Sequence, residues 1–164
     1  MKLSSASVGF LRHSATTLVA AVLIAALSAC APVKLVSDYD EQTDKAVTAL
    51  QKKVATFLIG LGDEVGTPAC TYENNKAFYA DAKVDVSALH VRVDALQQNQ
   101  ITGQQIALLT SSLADLESLH ALKVKKPKGK NCLSKDEIDP LQNAFNTSFT
   151  AILKFELAKK RGEQ

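Results

Sequence analysis

Apolar side chains recur at intervals of three and four residues through four stretches of this chain, and that period commits it to packed helices. The first stripe is Val36, Tyr39, Thr43, Val47, Leu50, Val54, Phe57 or Leu58, and Leu61. The second is Phe78, Ala82, Asp85, Leu89, Val93 and Leu96; the third is Ile106, Leu109, Leu113, Leu116 and His120. The fourth is Ile138, Leu141, Phe145, Phe149, Ile152, Leu153 and Phe155. Each stripe covers one helical face, so none is stable alone and all must bury against one another. Helices of about 25 residues with short connections predict an all-α, up-down-up-down four-helix bundle over residues 37–164. One disulfide is expected within it.

Punctuation between the stripes supports that division. Ser37 or Asp38 can cap the first helix, with Asp40 and Glu41 in its first turn, and Gly60, Gly62, Gly66 and Pro68 are expected to end it near Leu61. The second helix starts near Pro68 or Thr71. Its valines alternate like short strands over residues 83–86 and 90–93, yet no turn signal separates them, so one helix is expected. Thr102 with Gln105, flanked by Ile101 and Ile106, reads as a capping box and hydrophobic staple for the third. Ser134 with Glu137 repeats that pattern for the fourth. Pro140 complicates this last start, and the regular helix is expected from Asp139 or Pro140 after a short turn.

Ahead of the stripes lies a segment of another kind. Lys2 and Arg12 precede an apolar run over residues 17–27, too short to span a bilayer, which takes about 20 apolar residues. It has the pattern of a secretory leader; an uncleaved membrane anchor is the competing reading. Leu27, Ser28, Ala29 and Cys30 close it and resemble the lipobox of bacterial lipoproteins. The resemblance implies removal of residues 1–29 and acylation of Cys30 with palmitate-like chains. Two or more chains anchor stably where one does not. Ala31, in place of Asp, implies export to the outer membrane, facing the periplasm. Residues 30–36 then form a lipidated tether, and the six after Cys30 reach about 20 Å at most.

Loss of the leader removes two cations and no acid, so 17 basic residues balance 17 acidic ones in the mature chain. Overall charge therefore gives no support to a nucleic-acid partner.

With Cys30 taken by lipid, Cys70 and Cys132 remain, in an oxidising compartment. Bundle geometry tests their pairing. If the turn between helices two and three is centred near residue 100, both cysteines lie about 45 Å from it and so are level. The expected disulfide closes a loop of about 60 residues and contributes about 4 kcal/mol in the chain-entropy model. A free thiol nucleophile needs a basic neighbour, and the lysines near Cys132 keep that alternative open.

Catalytic patterns are scarce. His90 and His120 are offset by about 15 Å along the same hairpin, so they share no ligand easily. Glu117 with His120 is an isolated Glu-x-x-His unit, whereas a di-iron bundle needs two plus two further carboxylates. Ser111, Ser112 and Ser148 have no base placed beside them. Neither a metal nor any other cofactor is implied, and the expectation is a non-enzyme. Two basic clusters are candidates for interaction. Lys123, Lys125, Lys126, Lys128 and Lys130 suit an anionic partner, and Lys159, Lys160 and Arg161 suit lipid headgroups. The function expected is a binding or scaffold module for a periplasmic protein or polymer. A small-ligand binder using Tyr39, Thr43, Asp85 and His120 inside the bundle is the second reading, and an unrecognised hydrolase the third.

Overall fold

The computed structural model describes residues 35–123 and 131–162. The leader, Cys30, most of the tether, Lys125, Lys126, Lys128 and Lys130 lie outside the described residues. The remainder is helical: α1 (Glu41–Asp63), a short 3₁₀ turn (Pro68–Cys70), α2 (Tyr72–Ala95), α3 (Gln100–Leu122) and α4 (Lys135–Gly162). No strand occurs among the described residues. Helix α1 packs on α2 and α4, and α3 packs on the same two. The predicted stripes form the core, with Val47, Leu50, Val54, Leu58, Leu89, Val93, Ile106, Leu113, Phe149 and Ile152 all buried. The alternating valines of α2 do not form strands. Val86 and Val93 face the core while Val84 and Val91 stand in solvent, as an uninterrupted helix requires.

The helix ends depart from expectation in instructive ways. Neither Ser37 nor Asp38 caps α1; the Asp40 carboxylate accepts from the Thr43 amide at 3.0 Å and the Thr43 hydroxyl at 2.6 Å. Ser37 is used elsewhere, its amide donating to the Gln98 carbonyl at 2.9 Å. At the other end α1 runs through Gly60 and Gly62 to Asp63, because glycine costs a helix only about 1 kcal/mol and the buried Leu58 and Leu61 hold it. The reversal needs Gly66, whose φ of 90° lies in the left-handed region. Thr102 caps nothing: α3 already starts at Gln100, and Thr102 is buried in its first turn. The Ser134 box forms in its glutamate half, and the Glu137 amide donates to the Ser134 carbonyl instead of its hydroxyl. The Glu137 carboxylate accepts from the Ser134 amide at 2.9 Å and hydroxyl at 3.0 Å, with Leu133 and Ile138 both buried beneath. This start overrides the proline, so Pro140 sits inside α4 and gives no N–H to the Asp136 carbonyl.

Cys70 and Cys132 are disulfide-bonded, with Cα atoms 5.5 Å apart across 62 residues of sequence. Beneath the bridge Phe57 and Phe78 stack at 3.6 Å between centroids, and Tyr79 meets both edge-on.

Candidate functional site

Several residues selected from sequence turn out to be structural. His120 is fully buried between α2 and the disulfide end. Its Nε2 lies 2.9 Å from the Cys70 carbonyl, which can only accept, so Nε2 carries the proton. Nδ1 then accepts from the Tyr79 hydroxyl at 2.8 Å. Both ring nitrogens are committed, and burial holds the imidazole pKa below its ordinary value. The Tyr79 phenol is pushed up, also by burial. His90 is remote from this arrangement and pairs with Asp94 at 3.1 Å on the surface. Ser111, Ser112 and Ser148 each donate to the carbonyl four residues back, at 3.3, 3.0 and 3.0 Å.

The two basic clusters need correction where they are described. Lys159 does not face outward: it is buried, and its ammonium meets Glu156 Oε1 at 2.7 Å, Asn99 Oδ1 at 2.6 Å and Thr102 Oγ1 at 2.9 Å. All three of its donors are satisfied inside the protein. The Thr102 hydroxyl donates to Glu156 Oε1 at 2.7 Å, and Ser37 Oγ donates to Asn99 Oδ1 at 2.9 Å. This polar knot joins the start of the described chain, the α2–α3 turn and the end of α4. Glu156 Oε2 has no hydrogen-bond partner among the described residues. Lys160 and Arg161 remain exposed, with the Lys160 ammonium 5.0 Å from the Tyr39 ring centroid. Lys123 is also claimed, paired with Glu137, whose carboxyl it holds down at about 2.

The four polar residues assigned to an interior ligand are not gathered round a void. Tyr39 donates to Asp44 at 2.7 Å, and that bond raises its phenol to about 12. Thr43 is tied to Asp40, Asp85 to Lys53, and His120 to Tyr79. Each has its own partner: the Tyr39 and Thr43 pairs sit together at the start of α1, and the Asp85 and His120 pairs lie elsewhere in the bundle. Among the described residues no three His, Cys, Asp or Glu side chains are grouped as a metal site requires.

A concavity instead lies between α1 and α4, where sequence reading named nothing. Its volume is about 80 Å³. Val54, Leu58, Phe145 and Phe149, all core residues, form its floor, and Ala55 and Ile59 wall it on the α1 side. Gln51, Gln142 and Asn146 form a carboxamide rim. None of the three carboxamide side chains makes a hydrogen bond within the described residues, whereas those of Asn74, Asn75 and Asn99 are all engaged as donors. From this rim a shallow depression continues over Asn143, Asn146, Thr147 and Thr150 on α4 to Lys154. Between Asp139 and Lys154 helix α4 carries no charged residue. A second shallow depression, at the disulfide end, is formed by Gly66, Thr67, Pro68, Thr71, Asn131 and Cys132.

The chain matches no family model, no curated protein and no solved structure.

Proposed function

We propose that this protein is a non-catalytic envelope lipoprotein, held in the outer membrane by acylated Cys30 and presenting a helical bundle to the periplasm as a binding or scaffold module. Residues 1–29 are the leader it loses, 30–36 the tether and 37–164 the domain. The observation that carries this is the lipobox, whose Cys30 lies seven residues ahead of Ser37, the first of the described residues hydrogen-bonded into the folded unit. Anchor and fold are adjacent in the chain, with no long linker between them.

Four features favour an up-down-up-down course for the helices. Sequence neighbours pack together, α1 also packs on α4, the disulfide joins the approach to α2 with the approach to α4, and Ser37 bonds to the α2–α3 turn. In that arrangement the α2–α3 turn and the C-terminus share the lipid-facing end. Lys160 and Arg161 are there to meet headgroups, each charge contributing about 1 kcal/mol near an anionic surface. The lysine-rich segment with Lys125, Lys126, Lys128 and Lys130 is the candidate for an anionic partner.

A binding role without chemistry is supported by what the reactive groups are doing. His120 has both nitrogens bonded, Cys70 and Cys132 are joined to each other, and the helical serines bond to their own backbone. No nucleophile has a free base beside it among these residues.

Metabolic labelling with palmitate tests the reading. The native chain is expected to take up label and Cys30→Ser to take up none while keeping its leader. An unlabelled native chain, or label retained by Cys30→Ser, overturns it.

A further inference from the structure

The α1–α4 groove is the best-formed concavity described above, and its chemistry is selective. A water molecule needs about 10–15 Å³, and an apolar cavity of about 150 Å³ takes benzene. At about 80 Å³ the slot admits a group of a few heavy atoms and excludes a whole sugar ring. Its floor is apolar and aromatic, suited to a methyl group. Its rim is made only of carboxamides, each offering a carbonyl acceptor and two N–H donors. A group with a methyl at one end and one N–H and one C=O beside it satisfies floor and rim together. That group is an acetamide.

Charge and continuity narrow the bearer. The groove and the α4 surface running from it are uncharged until Lys154, so nothing in them selects a phosphate, a carboxylate or a cation. The eight residues from Asn143 to Thr150 span about 10 Å of helix, enough for a short run of sugar rings beside the slot. Protein partners are typically gripped through protruding Trp, Tyr, Arg and Met anchors. The groove has none of these, and apart from Ile59 its large apolar groups form the recessed floor. The idle carboxamides of Gln51, Gln142 and Asn146 fit hydroxyl- and amide-rich ligands instead.

We propose that the α1–α4 groove binds an uncharged N-acetylated glycan, inserting one acetamido group between Phe145, Phe149 and the Gln51, Gln142 and Asn146 carboxamides. This rests on the reading of the chain as a periplasmic binding module and names the polymer it takes. Binding is measured on the purified chain whatever its N-terminus carries, so failure to be acylated and failure to bind are separate results.

Titration calorimetry with an N-acetylglucosamine tetramer is the test, using cellotetraose as the matched ligand that has hydroxyls in place of acetamido groups. The tetramer is expected to bind and cellotetraose to bind at least tenfold more weakly. Gln142→Ala and Asn146→Ala should each weaken binding about 3- to 10-fold, the effect of one hydrogen bond. Asn146 is exposed, so its variant keeps the fold. Ala55→Leu, which fills the slot, should abolish binding without lowering the melting temperature by more than a few degrees. Equal binding of both sugars, unchanged affinity in the rim variants, or no binding at millimolar tetramer overturns the proposal. So does a concentration-dependent dimer in sedimentation that Asn146→Arg dissolves, because the groove is then occupied by a second copy.

Discussion

Lys159 is the residue whose position says most about how this bundle is held. An ammonium and a carboxylate are both removed from water at the end of α4, and their mutual contact and hydrogen bonds offset the desolvation. Removing one partner leaves the other buried and uncompensated. Lys159→Met is therefore expected to lower the unfolding free energy by about 3–5 kcal/mol, while Lys159→Met with Glu156→Met costs much less. Urea denaturation of the single and double variants checks this, and equal losses contradict it. His120 makes a pH-dependent contribution of definite sign. Its folded pKa is lowered by burial, so between the unfolded value, about 6.5, and the lower folded value the unfolded chain binds more protons. Stability from this residue is complete above that window and falls as pH drops through it. Asp40 and Glu137, depressed by Arg92 and Lys123, lose their contributions only at lower pH, below the ordinary carboxylate range. Melting curves should show a first decline as pH falls below about 6.5 that His120→Gln flattens, then a second, steeper one in the carboxylate range that it leaves in place.

Helix boundaries show where local pattern decides and where tertiary contact overrules it. The Ser134 pattern was legible because Glu137 still reaches back to the Ser134 amide with one carboxylate oxygen while the other takes Lys123. The Thr102 box has the same spelling, yet Glu156 and Lys159 claim the threonine and α3 begins two residues earlier. A signal for this existed. Phe145, Phe149, Ile152, Glu156 and Lys159 continue one stripe at intervals of four, three, four and three, so both charged residues lie on the core face. Near the end of a helix a lysine also suits the dipole, and that reading hid the burial. Asp40 combines two functions in one side chain, capping α1 and accepting a two-pronged contact from Arg92 of α2 at 2.6 and 2.7 Å. Asp40→Ala should cost about 2 kcal/mol, and Asp40→Asn, which keeps the cap and loses the ion pair, about half of that. Equal losses in chemical denaturation contradict this division.

At the scale of the molecule, the rise per residue placed Cys70 and Cys132 level, and the disulfide joins them. That inference needed only a turn position and helical geometry, both of which local sequence supplies. The α1–α4 groove was not legible, because Gln51, Gln142 and Asn146 look like ordinary surface residues until two helices distant in sequence are set side by side. The described residues form a helical bundle fastened by one disulfide, and the proposed function adds a lipid anchor that turns the groove to the periplasm. Intact mass spectrometry of the chain extracted from membranes, without reductant, tests this most directly. The predicted mass is that of residues 30–164 with diacylglycerol on Cys30, usually an added N-acyl chain, and two hydrogens missing for the Cys70–Cys132 bond. A chain that still begins at Met1, or one cut elsewhere and free of lipid, contradicts it.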